Sequence, residues 1–514
     1  MGEPSPRNAA FWRTISLAIA VAVALLVLLP LALRIKVAEY DEAIFLDVAR
    51  NLQRVGLPLR SMGTEGVAYL EHTPRLAFLL GMVTPQTPNA LAWARWITAL
   101  AGLGCVVLTY LIGERMAGWR AGLVAAALLA LRPTFAVNAF FVRQETFMTL
   151  AMLAALLILT KDRRRCSLWR MALTGLALAA AVLFKETAVL FAAACVVLVV
   201  LLHRANPARA WRAALLVGAP SLLVLGAWAL WAWQLWPVTF AGVIHRWFAS
   251  AQGGFMPEPR MGLKAGVWAR QLALDLLSLP LVLGLLLALI RAARTGRRYW
   301  QPERLLLWGY LVAAIGVSFL IGLKEPRHLI GVLPCAALLI GITFSEWLAE
   351  VPRGPRNRLR CAGAWLAVVI FLLAASPLRL FPLSRQSPIA YLDPIYAWPL
   401  LENDRFYNVL RLTGEQVRVG AAPREVLTVA HQGPVVSYYA DRPYRMLYTL
   451  SEDGVLQALE ESDVLVWDDP QFLLLDPDQV QRVQDYVAQH FSVEQVVQDG
   501  ERRVTIYRPE ARLR

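Results

Sequence analysis

Between residue 11 and residue 381 about eleven apolar runs follow one another, and most are long enough to cross a bilayer as a helix. They lie near 11–33, 89–112, 120–141, 144–160, 171–185, 186–203, 213–236, 266–290, 304–323, 328–349 and 361–381. With 58% hydrophobic and 17% charged residues in 514, the chain is too apolar for a soluble domain, which is nearer a quarter charged. The expected fold class is an α-helical polytopic membrane protein. The first run has no small-residue cleavage site after it, so it is read as a retained span.

Charge orients the spans. Short basic loops, "GERMAGWR" (113–120), "KDRRRCSLWR" (161–170), "RANPARAWR" (204–212), "RAARTGRRYWQPER" (291–304) and "VPRGPRNRLR" (351–360), separate alternate runs. All fall on one side of the membrane, which the positive-inside rule makes cytoplasmic. The N-terminus is then inside, and an odd number of spans puts the C-terminus outside. The net charge of +14 therefore reports topology and anionic headgroups rather than nucleic acid.

The other side carries a first loop (34–88), a loop near 237–265, three tight turns and a long tail. In the tail "EVLTVA", "PVVSYYA", "SDVLVWDD" and "RRVTIYRP" read as strands, and "DPDQVQRVQDYVAQHF" as an amphipathic helix. The expected domains are a transmembrane catalytic domain (1–381) and a small extracytoplasmic α/β domain (382–514). None of the five cysteines lies in that tail, so no disulfide framework is expected.

Ionisable residues gather on the outer side. Asp41 and Glu42 follow the first span and open a segment (42–55) whose Phe45, Val48, Leu52 and Val55 recur at helical spacing, the pattern of a helix lying in the interface. Ordinary capping accounts for the same acids, with Asp41 as N-cap and Glu42 facing the helix dipole. Arg143 with Glu145, Lys185 with Glu186, and Lys324, Glu325, Arg327 and His328 stand at three junctions between spans. Charge at such depth is costly and normally faces a cavity, so three mixed-sign junctions beside an acidic loop describe an outward-facing polar site.

The order of these features resembles the GT-C glycosyltransferases of the protein-O-mannosyltransferase and lipid A aminoarabinose transferase type. It runs from Asp41-Glu42 through "EHTP" (71–74, with His72), Arg95, "RQET" (143–146) and Lys185 to "PRHLIGVLP" (326–334). The resemblance covers residues 30–340. Thr73, Glu145 and His328 stand where the family pattern has Pro, Asp and Tyr.

The resemblance implies transfer of a sugar from a polyprenyl-phosphate donor to a hydroxyl of a lipid, glycan or protein, at the outer face of a bacterial inner membrane. Such chemistry needs a carboxylate for the acceptor hydroxyl and cations for the phosphate. Asp41 fits the first role, with Glu42 beside it, and Glu145 fits a positioning or sugar-binding role. Lys185, Arg143 and Arg327, with His72 and His328, fit donor phosphate and substrate binding. No His/Cys set has zinc spacing. A divalent cation on Asp41, Glu42 or Glu145 is compatible with the acids, although the nearby cations make it unnecessary, and no other cofactor is expected. The competing classes are a polymerase or ligase of lipid-linked polysaccharide, a lipid-linked sugar transporter, and a scaffold built around the tail.

Overall fold

The computed structural model describes residues 6–34, 37–63, 66–70, 74–84, 89–160, 167–251, 269, 272, 277–320, 326–350, 358–374, 398–420, 422, 425–448, 450–468, 473, 475–500 and 502–510. The chain forms two compact units, one of residues 1–33 with 96–397 and one of residues 34–95 with 398–514.

The first unit is helical. Among the described residues five helices are long and apolar enough to cross a membrane: Ala10–Leu28, Ala90–Ala117, Pro207–Leu235, Ser278–Arg298 and Val332–Glu350. Trp119–Ala130 and Thr134–Phe140 form a bent pair that makes a sixth if taken as one span, and Gln144–Thr160, Leu168–Phe184, Glu186–Leu202 and Ala362–Leu372 are shorter apolar helices. The first half of the run expected at 266–290 lies largely outside the described residues, and its second half is in the helix Ser278–Thr295. The expected loop near 237–265 contains a helix, Pro237–Ala251.

The sequence explains where these helices break and touch. Pro133 cannot continue the helix before it, so the run expected at 120–141 is split at Arg132, which caps the second piece. Pro220 lacks the N–H that would bond Leu216 O, and the backbone of Gly175 closes on that carbonyl; a Cβ at Gly175 would collide with it. Gly122 likewise abuts Tyr110 O, and Gly341 abuts Ala121 O. Outward-facing leucines such as Leu222 (67% exposed) and Leu223 (71%) suit lipid and not water.

The second unit differs from the linear division expected at 381/382, because the first loop packs with the tail. Its five-stranded sheet has the order β4-β3-β5-β7-β6, where β3 is Leu427–Val429, β4 Tyr444–Met446, β5 Val464–Trp467, β6 Phe491–Asp499 and β7 Arg502–Pro509. In the first loop β1 (Leu59–Arg60) and β2 (Val67–Ala68) form a small antiparallel pair. β3 is parallel to β4 and β5, whereas β5–β7 and β7–β6 are antiparallel. The strands expected at "EVLTVA", "SDVLVWDD" and "RRVTIYRP" and the helix Pro477–His490 are present. "PVVSYYA" is not a strand but the helix Gly433–Ala440. Parallel pairing of consecutive β3 and β4 requires a crossover, and Pro434 in its first turn suits the start of a helix.

The segment expected as an amphipathic helix at 42–55 is the helix Tyr40–Val55, and it turns one face into the protein. Phe45 and Val48 are buried, as are Glu42 and Asp47, while Val55 near its end is 59% exposed. Asp47 accepts from Ser61 N (2.7 Å) and Ser61 Oγ (2.6 Å), and Ser61 O accepts from Tyr444 N (2.8 Å), which places 61–63 along the edge of β4 and shields it.

Arg50 and Arg54 grip Asp441 at 2.7 and 3.0 Å. Asp441 sits in the left-handed region (φ 53°), which Asp and Asn tolerate better than most residues. Burial pushes its carboxyl up, but Arg54 and Arg50 outweigh this and hold it below the usual carboxylate range. A depressed acid contributes stability above its unfolded pKa, about 3.9, and loses it as pH falls through the lower folded value. Asp441→Asn, which keeps the backbone, is expected to cost under about 1 kcal/mol at pH 7 because the pairs are partly exposed. Thermal denaturation should show the difference vanishing in about 1 M salt, shrinking as pH falls below about 4, and gone only below the lower folded pKa.

Candidate active site

In the second unit the helix Tyr40–Val55 begins with a capping box. Glu39 is the N-cap, and Glu42, three residues on, accepts from Glu39 N (3.0 Å). The expectation of Asp41 as N-cap is corrected: Asp41 is the second residue of the helix. The reason is geometric, since a side chain at the third helical position reaches back to the cap N–H and one at the second does not. Glu42 is fully buried and takes Arg95 in a two-pronged bond, Nε to Oε1 at 2.9 Å and Nη2 to Oε2 at 2.6 Å. Arg95 Nη2 also donates to Val37 O (2.8 Å). Of the two adjacent acids, Glu42 therefore has both oxygens engaged in holding the helix start, while Asp41 is half-buried. Tyr439 OH accepts from Ala38 N (2.8 Å), and burial pushes that phenol up.

In the first unit Glu145 and Lys185 meet. Lys185 Nζ lies 2.6 Å from Glu145 Oε1, with both side chains almost wholly buried. Glu145 stands in the first turn of Gln144–Thr160, and Lys185 is the C-cap of Leu168–Phe184, so two helix ends present opposite charges to each other. Arg327 and His328, in the 3-10 turn Pro326–Leu329, act electrostatically on the same carboxylate. Arg143, two residues before Glu145, is 8% exposed; its Nη1 donates to Asn138 Oδ1 (3.3 Å) and its guanidinium lies over Phe141. Glu186 adds a second carboxylate next to Lys185. Glu145 and Lys185 are in contact, Arg327 and His328 are within electrostatic reach of Glu145, and Arg143 is on the adjoining turn.

Asp41 and Glu42 belong to the other unit. His72, Lys324 and Glu325 lie outside the described residues. Asn138, which orients Arg143, was missed because a lone Asn in an apolar run carries no motif. Arg132, fully buried, carried a signal that was overlooked: an arginine inside an apolar run is costly and usually has a task. Among the described residues no three of His, Cys, Asp or Glu come together as a metal-binding group.

Residues 71–231 match the family model described as dolichyl-phosphate-mannose-protein mannosyltransferase. That stretch contains Arg95, Arg143, Glu145 and Lys185 but not Asp41 or Arg327. No curated protein sequence matches the chain. Among solved structures, ArnT from Cupriavidus metallidurans bound to undecaprenyl phosphate is similar at 18% identity and TM-score 0.58, covering 97% of this chain and 98% of that one. AglB, the oligosaccharyltransferase of Archaeoglobus fulgidus, solved with an inhibitory peptide and a dolichol-phosphate, is similar at 12% identity and TM-score 0.58, covering 89% and 69%. At such identities the likeness is one of fold. The resemblance read from the order of motifs holds: this multi-pass chain has the fold of the GT-C glycosyltransferases, and its residues 71–231 match their mannosyltransferase family model.

Proposed function

We propose that this protein transfers a sugar from a polyprenyl-phosphate carrier to a hydroxyl of a lipid, glycan or protein on the extracytoplasmic face of a bacterial inner membrane. The observation that carries the reading is the buried Glu145–Lys185 pair with Arg327 and His328 around it. Arg143, Lys185 and Arg327 outnumber Glu145 and Glu186, and a local excess of fixed cations at the ends of apolar helices suits a lipid-borne phosphate. Undecaprenyl phosphate bound to the similarly folded ArnT supports the same reading.

In this reading Glu145 holds Lys185 in place, and the cations stabilise the phosphate as the glycosidic bond breaks, the kind of electrostatic help that is usually the largest single contribution to an enzyme's rate enhancement. Asp41 takes the proton of the acceptor hydroxyl, and Glu42 with Arg95 fixes the helix that carries it. His72 and His328 complete the substrate contacts. The N-terminus lies in the cytoplasm, and the unit containing the tail outside.

Mass spectrometry of envelope glycolipids and polymers in a deletion strain tests this. The carrier-linked sugar should accumulate and one acceptor should lose its sugar, with both reversed by the wild-type gene. An unchanged profile, with the carrier-linked sugar at its normal level, would remove the assignment.

A further inference from the structure

The winding of the sheet in the second unit creates a place to which the proposed chemistry has so far assigned no residue. β3 lies between β4 and β5, parallel to both. The chain leaves β3 for β4 on one side, then returns through the helix Glu452–Glu460 to β5 on the other. The carboxyl ends of β3 and β5 therefore flank a topological switch point, where open α/β sheets take their ligands because the connections diverge.

Four side chains meet at those ends. Asp468, just after β5, accepts His431 N at 2.9 Å on one oxygen and Gln432 N at 2.6 Å on the other. The His431 ring stands edge-on to Tyr448, with centroids 5.1 Å apart. Gln432 is 7% exposed, its Nε2 lies 2.8 Å from His431 Nδ1, and its Oε1 is buried with no hydrogen-bond partner. Turning the amide over only exchanges which of its atoms is left wanting. A buried amide atom without a partner is costly to keep, and its position at a switch point indicates a ligand that completes it.

The chemistry selects the ligand class. A carboxylate and an amide offer acceptors, imidazole and phenol rings offer edges and faces, and no lysine or arginine stands among the four. An anion is disfavoured beside Asp468, whereas a neutral polyol donates hydroxyls to such acceptors and lays its C–H face on an aromatic ring. We propose that the carboxyl ends of β3 and β5 form a saccharide subsite, in which Gln432, Asp468, His431 and Tyr448 hold the hydroxyls of a glycan-bearing acceptor. The word acceptor rests on the transferase reading; the saccharide subsite does not.

The test uses the full chain in lipid nanodiscs with methyl α-D-glucoside, methyl α-D-mannoside, methyl α-D-galactoside and N-acetylglucosamine as probes. Saturation-transfer NMR reports their binding, and undecaprenyl phosphate is titrated separately. At least one glycoside should bind the wild type and bind Gln432→Leu about tenfold more weakly, as expected when a polar anchor for a hydroxyl is lost. The thermal midpoint of Gln432→Leu should be unchanged or higher, because the unsatisfied amide is gone, and undecaprenyl phosphate binding should be untouched. If Gln432→Leu does not fold, Tyr448→Ala serves in its place, with the same expected loss of glycoside binding and the same unchanged undecaprenyl phosphate binding. Failure of every glycoside to bind, or equal binding by wild type and variant, overturns the subsite and leaves Gln432 a structural amide satisfied by water. Glycoside binding that follows Gln432, in a protein that binds no undecaprenyl phosphate, would uphold the subsite and sink the transferase reading instead.

Discussion

Asp41→Asn should lower sugar transfer by about 10²–10⁴-fold and leave the protein folded, the loss typical of a missing general base. The substitution is nearly isosteric and leaves the helix start intact, because Glu39 and Glu42 form the capping box and Glu42 holds Arg95. If Asp41 only complemented the dipole of the helix Tyr40–Val55, the change would cost about 0.3–1 kcal/mol of stability and spare transfer. Purified variant assayed with a polyprenyl-phosphate sugar, alongside its thermal midpoint, separates the two. A folded Asp41→Asn with near wild-type turnover would refute the assignment. Glu42→Gln makes the informative contrast: it weakens a buried ion pair, so its main effect should be on stability.

The second large effect is expected at Lys185. Lys185→Met leaves the Glu145 carboxylate buried without its 2.6 Å partner, and breaking such a pair from one side typically costs about 3–5 kcal/mol. Loss of activity in that variant alone would be ambiguous, since it could follow from instability. The double variant Lys185→Met with Glu145→Gln removes both charges and should recover most of the stability, because replacing a whole buried pair is often nearly neutral. It should not recover donor binding if Lys185 meets the carrier phosphate. Titration of undecaprenyl phosphate into both variants decides the matter; a double variant that binds the lipid as wild type does would place the phosphate elsewhere.

The membrane character, most helix positions and the order of charged junctions were legible because each is a local property. A run of apolar residues is a span wherever it falls, and Pro133 breaks a helix through its own missing N–H. The short strand-like stretch at 434–440 misled because alternation over so few residues does not separate strand from buried helix, and the parallel partner that forces a crossover is set by distant residues.

What the sequence by itself determined was that this chain crosses a membrane many times, carries mixed charge at three junctions between spans, and ends in an α/β tail. Only the tertiary structure decided which charges meet. Glu145 found Lys185 forty residues away, and Glu42 found Arg95 at a separation of 53. It also decided that the first loop folds with the tail, through Arg50, Arg54 and Asp441 and through Ser61 and Tyr444. The physical reason is common to all of these. Periodicity and capping act over a few residues, whereas a buried charge takes whatever partner the packed chain brings within reach, and no local pattern records that partner.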